Sequence, residues 1–354
     1  MGTRKNQKPS NAATADHGDV ADPRDLVMLG AAALREILTP ARCLAALEDA
    51  YRRLHAAPAD GGRSLGFQTA DGKFHVKAGL YPGSHDYFAA KVNANFPDNP
   101  ERFGLPTIQG LIVLCDGANG RPVAILHSGE LTGRRTAAAT ALAARHGARS
   151  DAATLAIVGG GAQARHQAAA LADILPIRRV VAADRDTVRT EAFAAWTVDT
   201  LGLQATVASS IADAVGDGDV IVTCTTATRA IITPDMVSAG SFIAAVGADN
   251  PDKQELDPGL FTTARILVDD VAQCAEGGDL AHAIRAGTAT TDAVAATLAQ
   301  LAAGARPGRT ADDEIVIFDS TGTGIQDVAA AVVAYTNSQP DCCADSQTEG
   351  SWAR

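Results

Sequence analysis

Two patterns of apolar and polar residues follow one another along the chain. Between residues 63 and 126, short apolar stretches alternate with polar turns, and those at 74–78, 87–92, 107–114 and 122–126 are typical of strands. From residue 151 onward, short apolar runs alternate with Ala-rich stretches of helical period, which indicates βαβ units. We therefore expect an α/β protein in which a mixed α+β domain precedes a doubly wound parallel sheet.

Changes in this pattern give the expected domain boundaries. Residues 1–25 and 338–354 are polar and without an apolar period, so we expect both to be disordered. Residues 149–312 are expected to form the parallel-sheet domain. Residues 26–148 together with 313–337 are expected to form the other domain.

Three segments near the end of the chain complete the pattern. Residues 292–303 have a helical period, and 314–318 form an apolar run typical of a strand. Residues 325–335 are small and apolar, again with a helical period. We expect the last two segments to return to the first domain, which is why that domain is expected to contain two separate stretches of the chain.

A glycine turn follows the first strand of the second domain. The strand leads into three consecutive glycines, from Gly159 to Gly161, and an Ala-rich helical stretch begins at Ala162. Strand, glycine turn and helix in this order form a dinucleotide-binding fingerprint, in which Ala164 takes the place of the third glycine. Without side chains on the turn, a pyrophosphate can approach the free N–H groups and the positive end of the helix dipole.

A second strand and an acidic residue follow the glycine turn at the spacing that the fingerprint requires. Asp184 lies 20 residues beyond Ala164, where a carboxylate binds the ribose hydroxyls of NAD. A carboxylate at this position repels the 2′-phosphate of NADP, so NAD is the expected cofactor, although Arg185 next to it weakens that preference. The sequence thus predicts a Rossmann domain in which Gly159, Gly161 and Asp184 bind the cofactor.

The bulk composition narrows the class of protein. Apolar residues make up 46% of the chain and charged residues 20%, as expected of a folded globular protein. The net charge of −11 disfavours nonspecific binding to nucleic acid or to anionic membranes. No apolar run approaches the ~20 residues that cross a bilayer, and the cysteines are scattered without a CxxC pair. We therefore expect a cytoplasmic protein without a metal site or a disulfide scaffold.

Four cations lie in or beside apolar segments of the first domain: Arg63, Lys77, Lys91 and Arg135. An unpaired charge inside a core is costly, so these residues are expected to meet an anion. Lys and Arg beside one cleft suit a small carboxylate substrate, because Arg binds a carboxylate with a two-pronged fork. The alternative is a sheet face turned to solvent, which applies more readily to Lys77 than to Lys91.

Polar residues also follow two strands of the expected parallel sheet. Asp249 follows the apolar strand that stops at Gly247, and Thr223 and Thr225 follow the preceding strand. Carboxyl ends of parallel strands form the ligand crevice, where a carboxylate can exchange protons with an amine or a water. We expect the two threonines and Val246 to line the cofactor. The alternative for Asp249 is a loop residue that caps the next turn.

Several unusual strings, in order, make the chain resemble the ornithine cyclodeaminase/mu-crystallin family. The resemblance covers about residues 26 to 335. It implies a homodimer with a β-rich substrate-binding and dimerisation domain, a Rossmann domain, and NAD(P) chemistry at the α-carbon of an amino or imino acid. The most specific strings are Lys91-Val-Asn, Gly104-Leu-Pro-Thr107, Arg135-Thr136-Ala-Ala, Gly159-x-Gly-x-Gln163-Ala, Ala245-Val-Gly-Ala-Asp249-x-Pro-x-Lys253 and Phe318-Asp-Ser320-Thr-Gly.

The resemblance also implies roles for individual residues. Lys91 matches a lysine that contacts the substrate, Arg63 matches the carboxylate-binding arginine, and Asp249 matches the catalytic aspartate of the cyclodeaminases. Positions that contact the cofactor in the family are matched by Thr107, Arg135, Thr136, Ala162, Gln163, Asp184, Lys253 and Ser320.

Within the family, the motifs are most similar to the alanine dehydrogenase branch. The leading hypothesis is an NAD(P)-dependent oxidoreductase, an alanine dehydrogenase-like enzyme or imine reductase that acts on a small amino or imino acid. The alternative is ornithine cyclodeaminase, a lyase that gives proline and ammonia. His75 or Lys77 stands where the cyclodeaminases have a glutamate, which disfavours a substrate with a side-chain ammonium. A second alternative is a non-catalytic dinucleotide-binding protein, against which Lys91, Arg135 and Asp249 argue.

Overall fold

The computed structural model describes residues 26–57, 62–81, 83 and 85–339, which form two connected units. The strands of the first unit are β1 (Val27–Leu29), β2 (Arg63–Gln68), β3 (Lys73–Tyr81), β4 (Tyr87–Asn95), β5 (Ile108–Asp116) and β6 (Pro122–His127). Its helices are α1 (Ala31–Ile37), α2 (Pro40–Ala56), α3 (Asn99–Phe103) and α4 (Ser128–Gly147). The four strands expected in this region are confirmed.

The six strands form one sheet in the order β1-β6-β5-β4-β3-β2. β1 pairs in parallel with β6, and the other neighbours are antiparallel. Helix α2 begins where the Thr39 side chain accepts a hydrogen bond from the Arg42 N–H and Pro40 occupies the first turn. The Ala-rich helix α4 is buried on almost every side, because its small side chains allow close packing against its neighbours.

The second unit contains the parallel sheet. Its strands are β7 (Thr154–Val158), β8 (Arg179–Ala183), β9 (Gln204–Val207), β10 (Val220–Thr223), β11 (Thr228–Ile232), β12 (Phe242–Ala245), β13 (Gln254–Leu256), β14 (Arg265–Val268), β15 (Val294–Thr297) and β16 (Val316–Asp319). Its helices are α5 (Ala162–Ile174), α6 (Thr187–Trp196), α7 (Ile211–Gly216), α8 (Val271–Gly277), α9 (Asp279–Ala286) and α10 (Leu298–Ala302). The chain ends, within the described residues, with α11 (Gly324–Ser338).

Eight of these strands form one sheet in the order β15-β14-β16-β12-β10-β7-β8-β9, and all their pairings are parallel. β11 and β13 form a separate small ladder. Every residue of β10, β12 and β16 is buried, and so is all of β7 except Thr154, as expected for a parallel sheet covered on both faces. One apolar core runs from Leu47 of α2, through Leu142 of α4, to Phe318 of β16. The expected doubly wound sheet is confirmed.

The two faces of the first sheet have opposite environments. Helix α11 packs across β3 and β4 on one face. Gly324 at the start of α11 lies so close to β3 that a Cβ there would be 2.5 Å from the Ala78 carbonyl oxygen. Large apolar side chains on the other face remain exposed to solvent: Leu65, Phe67, Phe74, Leu80, Phe88, Val92 and Leu111.

Two expectations near the end of the chain are wrong. Strand 314–318 was expected in the first domain, but β16 lies in the parallel sheet between β14 and β12, where all four of its residues are buried. The helix expected at 292–303 is interrupted, because β15 pairs with β14 at the sheet edge. The capping box between Thr297 and Gln300 then begins α10.

Helix α11 returns to the first unit, as expected, and extends to Ser338. The segment 1–25, expected to be disordered, lies outside the described residues, and so does 340–354 of the expected tail.

Candidate active site

Loops from neighbouring strands of the parallel sheet meet at its carboxyl edge. The loops after β7, β10, β12 and β16 contain the glycine turn, Thr225, Asp249 and Ser320, respectively. Because these strands are neighbours or next neighbours in the sheet, the loops lie side by side. Helix α11 then leads from the last loop to β3 of the first unit, so that residues of both units reach the same edge.

The glycine turn has the backbone that a dinucleotide requires. Gly159 has φ +109°, a conformation that favours glycine, and a Cβ there would lie 2.7 Å from the Cys224 carbonyl oxygen. No heavy atom lies within 4 Å of the Cβ position at Gly161, directly before α5, so the helix N-terminus is open to a ligand. The Asp184 carboxylate accepts a hydrogen bond from the Gly160 N–H at 2.6 Å. The turn therefore fits a pyrophosphate, with an acidic group beside it for a ribose.

A buried ion cluster joins the first unit to α11. The Asp327 carboxylate lies 2.6 Å from Lys91 Nζ and 2.8 Å from Arg135 Nε, and both cations are 5% exposed. Arg135 also donates to Gln326 Oε1 at 2.7 Å. Lys77 Nζ donates to the carbonyl oxygens of Thr321 and Gly322, at 3.1 and 3.0 Å. Three of the four cations identified in the sequence thus converge in one place.

The protonation of this cluster depends on burial and on the charges within it. Burial lowers the pKa of Lys91 to about 8, partly offset by Asp327, while Arg135 lowers it further. Burial and the nearby Arg135 also lower the pKa of Lys77. Burial raises the pKa of Asp327, but Lys91 and Arg135 outweigh this effect and hold it below its usual range. The ionised Asp327 carboxylate is therefore shared by Lys91 and Arg135, with Lys77 opposite Lys91 on the neighbouring strand.

Asp249 lies in the loop after β12, on the solvent-exposed side of the same sheet edge, which we call the rim. Its side chain is 49% exposed and forms an ion pair with Lys253, with 2.8 Å between Nζ and Oδ1. Lys253 also donates to the Gly247 carbonyl oxygen, which fixes the ammonium beside the carboxylate. Partial desolvation raises the pKa of Asp249, but Lys253 outweighs it, and the pKa lies below its usual value. Asp249 is therefore an ionised carboxylate at neutral pH.

Glu255 holds two of the strand-end loops together, a role that the sequence did not reveal. Its carboxylate is fully buried and accepts hydrogen bonds from the Thr225 N–H and hydroxyl, at 2.6 and 2.7 Å. It also accepts from the Thr223 hydroxyl at 2.7 Å and from the Gly247 N–H at 2.8 Å. The loops after β10 and β12 consequently share one acceptor.

Three further buried carboxylates continue from Glu255 along the sheet edge. Asp279 accepts from the Glu255 N–H at 2.9 Å, and Asp319 accepts from the Asp279 N–H at 3.2 Å. Asp269 accepts from the Gly322 N–H at 2.7 Å. Burial and the nearby Glu255 raise the pKa of Asp279 to about 7, and burial with Asp279 raises the pKa of Asp319. We call Glu255, Asp279, Asp319 and Asp269 the carboxylate row.

Several other residues expected to contact the cofactor are buried or bonded within the protein. The Ser320 hydroxyl donates to Asp269 at 3.2 Å, and Thr136 is buried on α4 next to Arg135. Gln163 lies in the first turn of α5, beside Ala162, and Val246 follows β12. Thr107 lies just before β5, and its carbonyl oxygen accepts from the Phe96 N–H. Their contacts with a cofactor stay predictions.

Arg63 and the missed acids show what the sequence left open. Arg63 begins β2, where its backbone is opposite Ala78, but its side chain is outside the described part of the structure. Its role stays a prediction. Asp269 and Asp319 directly follow or end apolar strands, which is the signal that identified Asp249. Asp327 was detectable as an acid within an apolar helix.

Neither a metal centre nor a membrane segment is found within the described ranges. They contain no group of three or more His, Cys, Asp or Glu side chains placed to hold a metal ion. No helix among them has the length and apolar character needed to cross a membrane.

Residues 25–341 match the family model described as ornithine cyclodeaminase/mu-crystallin family. Among solved structures, an archaeal alanine dehydrogenase dimer with bound NAD is similar, with TM-score 0.81, 32% identity, and 88% and 96% of the two chains covered. The Thermococcus litoralis Δ1-pyrroline-2-carboxylate reductase, in complex with NADH and L-proline, gives TM-score 0.84, 25% identity, and 88% and 97% coverage. The Paracoccus denitrificans iminosuccinate reductase, in complex with NAD+, gives TM-score 0.81, 29% identity, and 88% and 95% coverage.

The ion cluster predicts a large effect of removing its single acid. Asp327→Asn leaves Lys91 and Arg135 without their counter-charge, and we expect the free energy of unfolding to fall by about 3–5 kcal/mol at neutral pH. Urea unfolding measures this value. The matched control is Asp71→Asn, which breaks the exposed pair with Arg102 and should cost at most about 1 kcal/mol.

The same variant has an expected pH dependence. The folded-state pKa of Lys91 lies below its unfolded value. Above about pH 8, the unfolded chain therefore binds more protons than the folded chain does, and the free energy of unfolding increases with pH. Without Asp327 this pKa falls further, so the increase in the free energy of unfolding begins at a lower pH. The difference between variant and parent should therefore narrow from neutral to alkaline pH. A difference that stays constant would contradict the assigned pairing.

Proposed function

The chain belongs to the ornithine cyclodeaminase/mu-crystallin family, and from this premise we propose that it is an NAD-dependent oxidoreductase acting at the α-carbon of a small amino or imino acid. The proposed reaction is reduction of an α-imino acid to the amino acid, or the reverse oxidation followed by hydrolysis. The single observation that supports it most is the convergence of Lys77, Lys91 and Arg135 on the loop and helix that follow β16, beside the strand-end loops that contain Asp249 and the glycine turn.

The ion cluster is proposed to bind the substrate carboxylate. Asp327 balances one charge, and the backbone carbonyls that Lys77 contacts are neutral. A carboxylate that enters between Lys77 and Lys91 gains charge-assisted hydrogen bonds in a buried setting, where they are stronger than in water. This contact orients the α-carbon, because a carboxylate held by two donors has little freedom to rotate.

Asp249 is proposed to move protons at the substrate nitrogen. As an ionised carboxylate at the rim, it can accept a proton from the substrate ammonium, or from the water that hydrolyses an imine. Lys253 keeps it ionised and fixes its position. When bound, NADH supplies the hydride for the reduction, and the chain itself supplies the positioning and the proton transfer.

The glycine turn and Asp184 are proposed to bind NAD rather than NADP. The Gly161 position is open at the start of α5, and the Asp184 carboxylate lies within hydrogen-bond distance of the turn. A 2′-phosphate beside this carboxylate would be repelled. The similar alanine dehydrogenase and iminosuccinate reductase structures contain NAD, which supports the same choice.

The cyclodeaminase alternative is less favoured by the charges of the site. A diamine substrate would place its second ammonium in a site that contains Lys77 and Lys91. The only carboxylate described at the rim, Asp249, is already paired with Lys253. One assay separates the two reactions, since a cyclodeaminase converts ornithine to proline without net formation of NADH, whereas a dehydrogenase accumulates NADH.

We further propose that the protein is a homodimer in a reducing, cytoplasmic setting. The exposed apolar face of the first sheet is large enough to require a cover, and a second copy supplies an identical face related by a two-fold axis. The similar archaeal alanine dehydrogenase is a dimer. The cysteines within the described residues are free thiols, which supports a reducing compartment.

Loss of the proposed proton-transfer group should reduce turnover. We expect Asp249→Asn to lower kcat by about 10²–10⁴-fold, because an amide cannot accept the proton. NADH affinity, measured by fluorescence titration, should change little. The control is Asp252→Asn, an exposed aspartate three residues away, which should keep the parent kcat. Equal turnover of the two variants would remove Asp249 from the mechanism.

Carboxylate binding should weaken at alkaline pH. Lys91 has a pKa of about 8, so the free protein loses this ammonium as pH rises through that value. We expect the affinity for propionate, measured by calorimetry in the presence of NADH, to fall above about pH 8 while the affinity for NADH stays constant. A propionate affinity that does not change from neutral to alkaline pH would contradict the proposed role of Lys91.

A charge on the exposed face should separate the protomers. We expect Phe67→Glu to convert a dimer to a monomer in light scattering, because the carboxylate would be desolvated in the interface. Val188→Glu, at an exposed apolar residue of α6, is the control and should leave the mass unchanged. A parent protein that is monomeric at micromolar concentration would refute the proposed dimer.

A further inference from the structure

The face of the first sheet that looks onto the ion cluster is polar over three successive residue pairs. Strands β3 and β4 are antiparallel neighbours, and side chains alternate between the two faces of each strand. The intervening residues, including Phe74 and Val92, are therefore on the opposite face, and both are exposed there. We call the three pairs the polar wall: Lys73 with Asn95, His75 with Asn93, and Lys77 with Lys91.

The pairs of the polar wall lie at different depths. Lys77 and Lys91 are at the inner end, where α11 and its preceding loop contact them. His75 and Asn93 are one pleat repeat further out, about 7 Å along the strands. The strand register places His75 between Lys77 at the inner end and Lys73 at the outer end. A ligand that is bound at the inner end and extends outward along the strands meets the middle pair next.

Asn93 in the middle pair is fixed in one orientation. The Ser128 hydroxyl donates to Asn93 Oδ1 at 2.6 Å. Gly110, opposite Asn93 on β5, makes room for this bond, since a Cβ at Gly110 would lie 2.3 Å from the same oxygen. With its oxygen directed at Ser128, the amide directs its N–H donors elsewhere, and the middle pair offers hydrogen-bond donors at a fixed position.

The charges of the wall exceed what one substrate carboxylate can balance. At the inner end, Lys91 and Arg135 share the carboxylate of Asp327, and Lys77 donates to two neutral carbonyl oxygens, so positive charge remains there. At the rim, Asp249 and Lys253 cancel each other. Lys73 then adds a further positive charge at the outer pair, beside the imidazole of His75. A ligand with one anionic group near the inner pair and a second anionic group further out along the wall matches this distribution.

We propose that the substrate is an α-imino or α-amino dicarboxylic acid. Its α-carboxylate is held by Lys77 and Lys91, and its side-chain carboxylate by His75, Asn93 and Lys73. This inference rests on the proposed function and specifies its substrate class. An α-imino acid whose side-chain carboxylate lies one or two methylene groups from the α-carbon extends from the inner pair toward the middle pair of the wall.

The polar wall disfavours substrates whose side chain has no carboxylate. A methyl group or an aliphatic ring would desolvate the donors of His75 and Asn93 without replacing their hydrogen bonds to water. A side-chain ammonium would meet Lys73 and Lys77 with the same sign of charge. Sites that are built to hydrogen-bond a substrate group reject analogues that lack it more strongly than apolar pockets reject an extra methylene.

The substrate class can be tested with matched 2-oxo acids. NADH oxidation is followed with excess ammonium and either oxaloacetate or 2-oxobutyrate, which have the same number of carbons and differ in the second carboxylate. We expect kcat/KM to be about 10–100-fold higher for oxaloacetate, the value of one or two charge-assisted hydrogen bonds. A control without ammonium gives the rate of direct ketone reduction, and this rate is subtracted. A kcat/KM for 2-oxobutyrate equal to or above that for oxaloacetate would overturn the proposal.

Variants of the polar wall test which residues bind the second carboxylate. His75→Leu and Lys73→Met should each lower the ratio of the two kcat/KM values about ten-fold, because one donor is lost. His55→Leu, at an exposed residue near the end of α2, is the matched control and should keep the parent ratio. If both wall variants kept the ratio measured for the parent protein, the assignment of His75 and Lys73 to the second carboxylate would be overturned.

A binding measurement tests the proposed substrate class separately from the proposed reaction. Absence of turnover with every 2-oxo acid would count against the oxidoreductase function. Calorimetry with succinate and butyrate, in the presence of NADH, then decides the inference alone. We expect succinate to bind about ten-fold more tightly, and to lose this advantage in His75→Leu. Equal affinity for the two acids would overturn the dicarboxylate proposal.

Discussion

The buried Asp327 carboxylate is the interaction on which the site depends. It lies on α11, which returns from the parallel sheet to the first unit, and it pairs with Lys91 of β4 and Arg135 of α4. Buried charges are tolerated only when they are paired, so the two cations can occupy the interior only if α11 is docked. The same contact therefore holds in place the helix that connects the parallel sheet to the first unit, and it places the cations proposed for substrate binding.

The carboxylate row extends this constraint along the edge of the parallel sheet. Glu255 binds the loops after β10 and β12, and Asp269 binds the loop after β16. Asp279 and Asp319 connect them through backbone N–H donors. Because each of these buried carboxyl groups accepts hydrogen bonds from backbone N–H groups, the irregular loops are tied to the strands they follow. Asp249 and the glycine turn thus have fixed neighbours.

Sequence reasoning succeeded where a local pattern has a local physical cause. Apolar strands, the glycine turn and the acid at Asp184 follow from backbone sterics and from the chemistry of phosphate binding, and the structure has them in place. It failed for β16 and β15, because a short apolar run does not specify which sheet it joins. It also missed Glu255 and Asp269, whose roles depend on distant donors.

The sequence by itself determined the family, the order of the two units and the set of cations available for an anion. Only the tertiary structure decided which partners these groups have. The pairing of Lys77 with Lys91, and of His75 with Asn93, depends on strand register, and the pairing of Lys91 with Asp327 spans most of the chain. Such contacts are set by packing of distant segments and not by the spacing of residues, so they cannot be deduced from one sequence.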